Sequence, residues 1–220
     1  MNVPRPSHHE ERPVVVAAGE VVLHGDLRIP AGARGVVLFA HGSGSSRHSP
    51  RNRFVAEMLG RGSFGTLLTD LLTADEERAD AATGHLRFNI QLLGDRVTAL
   101  TDWLHGQSES AALPVGLFGA STGAAAALMA AARRPAVVKA VVSRGGRPDM
   151  TPSLAEVTAP TLLIVGERDA AVVELNRAAL ARLGGEKALA IVPRAGHLFE
   201  EPGALEEVGR LAREWFAGHL

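Results

Sequence analysis

Residues 114–134 read PVGLFGASTGAAAALMAAARR, and the reading of this stretch decides the fold. Val115 to Phe118 is a short apolar run with β-branched and aromatic character, the pattern of a buried strand. Ala124 to Ala132 is almost all alanine with Leu128 and Met129, a strongly helix-forming composition. Arg133 and Arg134 put positive charge in the last turn, and Pro135 disfavours further helix. Between strand and helix lies Gly119-Ala120-Ser121-Thr122-Gly123, a G-x-S-x-G. A turn this sharp leaves no room for side chains beside the serine, which accounts for the flanking glycines. Strand before and helix after is the context that a nucleophile elbow requires. The pentapeptide alone also fits a plain strand–helix turn with Ser121 as a helix cap, so its partners have to be sought elsewhere in the chain.

Outward from this stretch, strands and helices alternate. Val14 to Ala18 and Glu20 to Ile29 read as a hairpin turned near Gly19. Val36 to Ala40 (VVLFA) is a continuous apolar run, as in a central parallel strand buried on both faces. Pro50 to Arg61 reads as a helix, Gly65 to Leu68 as a strand, and residues 73–88 as a loop with a short helix. Ile90 to His105 places Leu93, Val97, Leu100 and Leu104 at helical spacing. Val137 to Ser143, Thr161 to Val165 and Ala188 to Val192 are further strands; Glu174 to Leu183 and Pro202 to Phe216 are helices. The expectation is an α/β fold with a mostly parallel sheet and sites at the carboxyl ends of its strands. Residues 1–12 are expected to be a flexible tail and 13–220 one domain, with the last helix packed on the sheet.

Composition bounds the chemistry. A chain of 220 residues, 46% hydrophobic and 21% charged, is long enough for one sizeable core. The formal net charge of -1 gives no reason to expect nucleic acid or an anionic membrane as partner. There is no cysteine, which excludes disulfides, thiolate metal sites and a cysteine nucleophile. The N-terminus has no apolar h-region and no window is apolar enough to span a bilayer. A cytoplasmic protein, monomer or homodimer, needing no metal or cofactor, is the expectation.

Polar residues end the other strands in a telling order: Ser121, then Asp169 in Gly166-Glu167-Arg168-Asp169, then His197 after Ala195-Gly196. A serine hydroxyl needs an imidazole to take its proton, and a carboxylate to hold that imidazole in the right tautomer. Ser…Asp…His is the chain order of α/β-hydrolase triads. Asp149 and Asp70 also follow strands and are rival acids; Asp169 itself also fits a helix cap. The loop His41-Gly42-Ser43-Gly44-Ser45-Ser46 is placed to offer backbone N–H groups to a developing oxyanion. Ser43, with Gly44 next to it, is assigned one donor, and Thr122, at the start of the elbow helix, the other. Neither a phosphate-binding G-x-x-x-x-G-K-[ST] nor an H-E-x-x-H occurs.

VVLFAHGSGSS, VGLFGASTGAAAAL, PTLLIVGERD and AGHLFEEPG together resemble the α/β-hydrolases, and within them the dienelactone-hydrolase-like branch. The resemblance runs from about Val14 to the end. It implies an acyl-enzyme on Ser121, hydrolysed by water that His197 activates. Dienelactone hydrolases themselves use a cysteine where this chain has Ser121, and this departure points to serine esterase chemistry. The connection from Val142 to Thr161 is too short for a substantial helical lid, so an open, shallow site for a small or soluble ester is expected. Arg47, Arg51, Arg144 and Arg147 crowd the expected rim. Arg144 or Arg147 is a candidate for binding a carboxylate or phosphate on the substrate, against a structural ion pair with Asp149 or Glu167. An acyltransferase on the same scaffold, and a ligand-binding protein without turnover, are the alternatives to a serine hydrolase.

Overall fold

The computed structural model describes residues 11–220. The expected tail lies mostly outside these residues, and its end is corrected: Arg12 already belongs to the first strand. In chain order the elements are β1 (Arg12–Ala18), β2 (Val21–Arg28), β3 (Val36–Ala40), α1 (Pro50–Arg61), β4 (Gly65–Thr69), α2 (Ala74–Asp80) and α3 (Ile90–Gly106). Then follow β5 (Val115–Ala120), α4 (Thr122–Arg133), β6 (Val138–Arg144), β7 (Thr161–Gly166), α5 (Ala170–Arg182), β8 (Lys187–Val192) and α6 (Ala204–His219). The eight strands form one sheet in the order β1-β2-β4-β3-β5-β6-β7-β8. β1 and β2 form the expected antiparallel hairpin, β2 lies antiparallel to β4, and every pairing from β4 to β8 is parallel.

Strand alternation divides the core. On β5, Val115 and Leu117 face the side covered by α3, α4 and α5, while Phe118 faces α1 and α6. Phe39 and Phe118 stack on that second side with ring centroids 4.9 Å apart. α4 is buried from Thr122 to Ala131, so its alanines let it sit close to the sheet, with α3 packed beside it and in contact with β1, β3 and β5. Phe216 of α6 is fully buried against the sheet, where the last helix was expected to pack.

Local signals start the helices. Ser49 caps α1 through the Asn52 N–H, with Pro50 at its first position. Thr73 and Glu76 form a reciprocal capping box on α2, and Asn89 caps α3 through the Leu92 N–H. The β6–β7 link is short, with two 3₁₀ turns at Pro148–Met150 and Leu154–Glu156, and carries no helical lid.

Candidate active site

Ser121 closes β5 and precedes α4 with φ 51° and ψ −121°, outside the ordinary regions for a residue with a Cβ. The turn is pinned on both sides: Ser121 N–H donates to Arg144 O at 3.1 Å, and Arg147 N–H donates to Ser121 O at 3.1 Å. A Cβ on Gly123 would run into Ala40 O and His41 O, so only glycine lets α4 start this close to the β3 end. Ser121 makes no side-chain cap to α4, which leaves its hydroxyl for other work.

Asp169 and His197 come together. His197 Nδ1 lies 2.6 Å from Asp169 Oδ2, although 28 residues separate them in the chain. Asp169 stands at the start of α5 but does not cap it with its side chain, so the cap reading fails. With Nδ1 on the carboxylate, Nε2 is the ring nitrogen left to act as base. Gly145 joins this pair to the serine. It follows Arg144, whose carbonyl holds Ser121, and it packs under His197 with φ 52°. A Cβ built on it would stand 3.5 Å from both Nδ1 and Cε1 of the imidazole.

The rival acids are occupied. Asp149 is bound bidentately by Arg147 at 2.8 and 2.7 Å, and Asp70 holds the Arg47 N–H at 2.8 Å as well as its guanidinium. Arg147 thus forms the structural ion pair with Asp149 that was the alternative to substrate binding. These contacts leave Arg144 on its own. It is 8% exposed, and among the described residues no hydrogen bond or ion pair reaches its guanidinium, with Nη1 buried. Burial, and then the like charge of Arg51, lower its pKa to about 10, so it stays cationic at neutral pH.

The Ser43 assignment also needs correction. Its N–H does not stand free at the site; it donates to Thr122 Oγ1 at 2.9 Å. Thr122 thereby ties the glycine-rich loop to the elbow, while its own N–H, at the first position of α4, has no partner within the helix. His41 pins the start of the loop. Its Nδ1 contacts Gly42 O at 2.8 Å and its Nε2 accepts the Leu71 N–H at 2.9 Å. Burial lowers the His41 pKa against the Gly42 hydrogen bond, which keeps the ring neutral as this bonding requires.

Two glutamates take roles that the sequence did not point to. Glu167 accepts the Arg194 N–H at 2.7 Å and Glu201 accepts the Gly196 N–H at 3.0 Å, so both brace the loop that presents His197. Each lies inside a stretch singled out above, but only the folded backbone shows what it binds. A cavity of about 460 Å³ opens beside the Ser43 loop, walled by Leu71, Leu72, Glu77, Arg87 and Leu93 of the β4–α3 segment. Glu76 bound to Arg96, and Asp80 bound to Arg87, hold that wall in place.

Comparison with known proteins agrees with this fold. A dienelactone hydrolase from Anabaena variabilis is 58% identical, with a TM-score of 0.95 over 97% of this chain and 99% of that one. Est1E from Butyrivibrio proteoclasticus shares the fold with a TM-score of 0.77 at 16% identity, over 94% of this chain and 98% of that one. Two strains of Mycobacterium tuberculosis carry proteins provisionally named phosphoribosyl transferase that are 57% identical over 208 residues. That match takes in 94% of this chain and 46% of those relatives, so the chain spans about half their length. The model of the dienelactone hydrolase family matches residues 25–214, and the chain belongs to that family.

Proposed function

We propose that the chain is a serine hydrolase that cleaves a small, soluble carboxylic ester, lactone or thioester in the cytoplasm through an acyl-enzyme. The observation that carries the reading is the 2.6 Å contact of His197 Nδ1 with Asp169 Oδ2, in a chain whose G-x-S-x-G serine is held at positive φ. Family membership supports the hydrolase class.

In this reading Ser121 Oγ attacks the acyl carbon while His197 Nε2 takes its proton. The tetrahedral oxyanion is stabilised by the Thr122 N–H at the positive end of α4. Collapse expels the alcohol or thiol, which leaves with the proton from His197. Water then adds to the acyl-enzyme as His197 takes its proton, and release of the acid restores Ser121. Asp169 keeps the proton of neutral His197 on Nδ1 and stabilises the imidazolium in both steps. Ser43 N–H reaches the oxyanion only by releasing Thr122 Oγ1, so Thr122 N–H is the principal donor.

Rapid mixing with p-nitrophenyl acetate tests the reading. A burst of nitrophenolate approaching one equivalent per chain, absent in Ser121→Ala, is expected wherever deacylation is the slow step. The acyl-enzyme itself should appear in acid-quenched samples as one added acetyl mass on Ser121. Turnover by wild type that persists in Ser121→Ala would refute it. Acyl transfer is the same chemistry with an alcohol in place of water, and product analysis with added glycerol separates the two. The phosphoribosyl transfer in the name of the mycobacterial relatives belongs to chains of which this one spans 46%.

A further inference from the structure

Of the four rim arginines, Arg144 is the one that the fold leaves without a counter-charge among the described residues. Arg47 and Arg147 are each bound to an aspartate, and Arg51 reaches Glu200 only at 3.5 Å. Arg144 is the last residue of β6. Its side chain falls on the same sheet face as Ala140 and Val142, the face that α1 and α6 cover, and Arg51 lies in the first turn of α1. Its carbonyl meanwhile holds the Ser121 N–H at 3.1 Å, so the main chain that carries this side chain is hydrogen-bonded to the main chain of the nucleophile. Nη1 of Arg144 and Nε of Arg51 are both buried without a hydrogen-bond partner. The Glu200 side chain is 67% exposed, so solvent screens most of its charge. A guanidinium cannot escape burial by losing its proton at neutral pH, and a buried cation without an anion is costly.

We propose that Arg144 and Arg51 form an anion cradle beside Ser121 for a phosphate monoester group on the substrate, so that the ester cleaved belongs to a phosphorylated small molecule. One guanidinium without a counter-charge, beside a second whose carboxylate partner is largely exposed, calls for a dianion; a carboxylate ligand would cancel only one of the two charges. A tetrahedral phosphate also brings three acceptor oxygens for the N–H groups left unpaired on two arginines. The cleavage rests on the Ser121 reading; the binding does not.

Calorimetric titration of the Ser121→Ala protein with inorganic phosphate, glycerol phosphate and acetate tests the cradle without turnover. Glycerol phosphate should bind at least about tenfold more tightly than acetate. Binding should weaken about tenfold or more when Arg144→Met or Arg51→Gln is added, with Arg144→Lys in between. It should also weaken from about pH 8 to about pH 5, as the phosphate dianion is protonated to the monoanion. Arg144→Met should melt no lower than its parent, since it removes a buried unpaired charge. In the active enzyme, the acetyl ester of glycerol phosphate should have a kcat/KM at least about tenfold above that of glycerol acetate. Absence of phosphate binding at millimolar concentration, equal binding in Arg144→Met, or acetate bound as tightly as glycerol phosphate would overturn the cradle. Equal turnover of the two esters would make it a site for free phosphate and overturn the substrate assignment. Phosphate binding without labelling of Ser121 by a fluorophosphonate would sink the hydrolase reading and leave the cradle standing; labelling without phosphate binding would do the reverse.

Discussion

Replacing Asp169 by asparagine isolates the contact on which the functional reading rests. The 2.6 Å separation of Nδ1 and Oδ2 sets the two side chains in direct contact. The centres of charge are then about 4 Å apart when His197 becomes an imidazolium, worth about 4 kcal/mol at an effective dielectric of 20. The His197 side chain is 40% exposed and that of Asp169 18%, so solvent weakens the attraction. Halving it gives a range of about 2 to 4 kcal/mol, a loss of roughly 30-fold to 10³-fold in rate. A second effect adds to this. The asparagine amide donates to Nδ1 and shifts the ring proton to Nε2, the nitrogen that must accept from Ser121. The expected fall in kcat/KM for p-nitrophenyl acetate is therefore about 10³-fold to 10⁴-fold, with an unchanged circular dichroism spectrum. Asp149→Asn is the control, because it breaks only the half-exposed pair with Arg147 and should cost less than about fivefold. A loss below fivefold in Asp169→Asn, or an equal loss in Asp149→Asn, would refute the reasoning.

Other perturbations follow from the same geometry. Ser121→Gly relieves the positive φ at the elbow and should raise Tm by about 2–6 °C, from about 1–2 kcal/mol, while abolishing turnover; a lower Tm would contradict the strain. Gly123→Ala drives a Cβ into Ala40 O and His41 O, and should lower Tm by about 3–10 °C and kcat/KM by about 10²-fold. Wild-type Tm and rate in that variant would show the close approach to be unnecessary. Acid should loosen the wall of the cavity. Burial raises the pKa of Glu76 and of Asp80, but hydrogen bonds from Arg96 and Thr73, and from Arg87 and Leu86, outweigh it and hold both low. Their folded pKa values lie below the unfolded ones, so this stabilisation is complete above about pH 5, clear of the unfolded values, and is lost as pH falls through the lower, folded values. Hydrogen exchange at the amides of α2 should quicken there before that of α4, and a uniform response would count against the ion pairs.

The sequence made the parallel core legible because its signals are local. VVLFA and VGLF are apolar in every register a central strand needs, and the alanines of α4 mark a helix that packs closely on the sheet. The order of Ser121, Asp169 and His197 reflected the order of the strands that carry them, so topology did the placing. What stayed hidden depends on where single groups point. No pattern shows that Ser43 N–H meets Thr122 Oγ1, or that α5 starts at Ala170 and not Glu174. Asp149 lies two residues from Arg147, yet their pairing follows from the 3₁₀ turn that brings the two side chains round. The isolation of Arg144 is a fact about three elements at once and has no one-dimensional signature. The wall of the cavity came from the β4–α3 segment, while the sequence directed attention to the β6–β7 link.

The central claim is that the fold activates Ser121. Intact-mass spectrometry after incubation with a fluorophosphonate, run beside folded Ser121→Ala, tests it most directly. A single adduct on the native chain, mapped to Ser121 and absent from the variant, is the result this account predicts. A native chain that stays unmodified, or one labelled equally in Ser121→Ala, would contradict it.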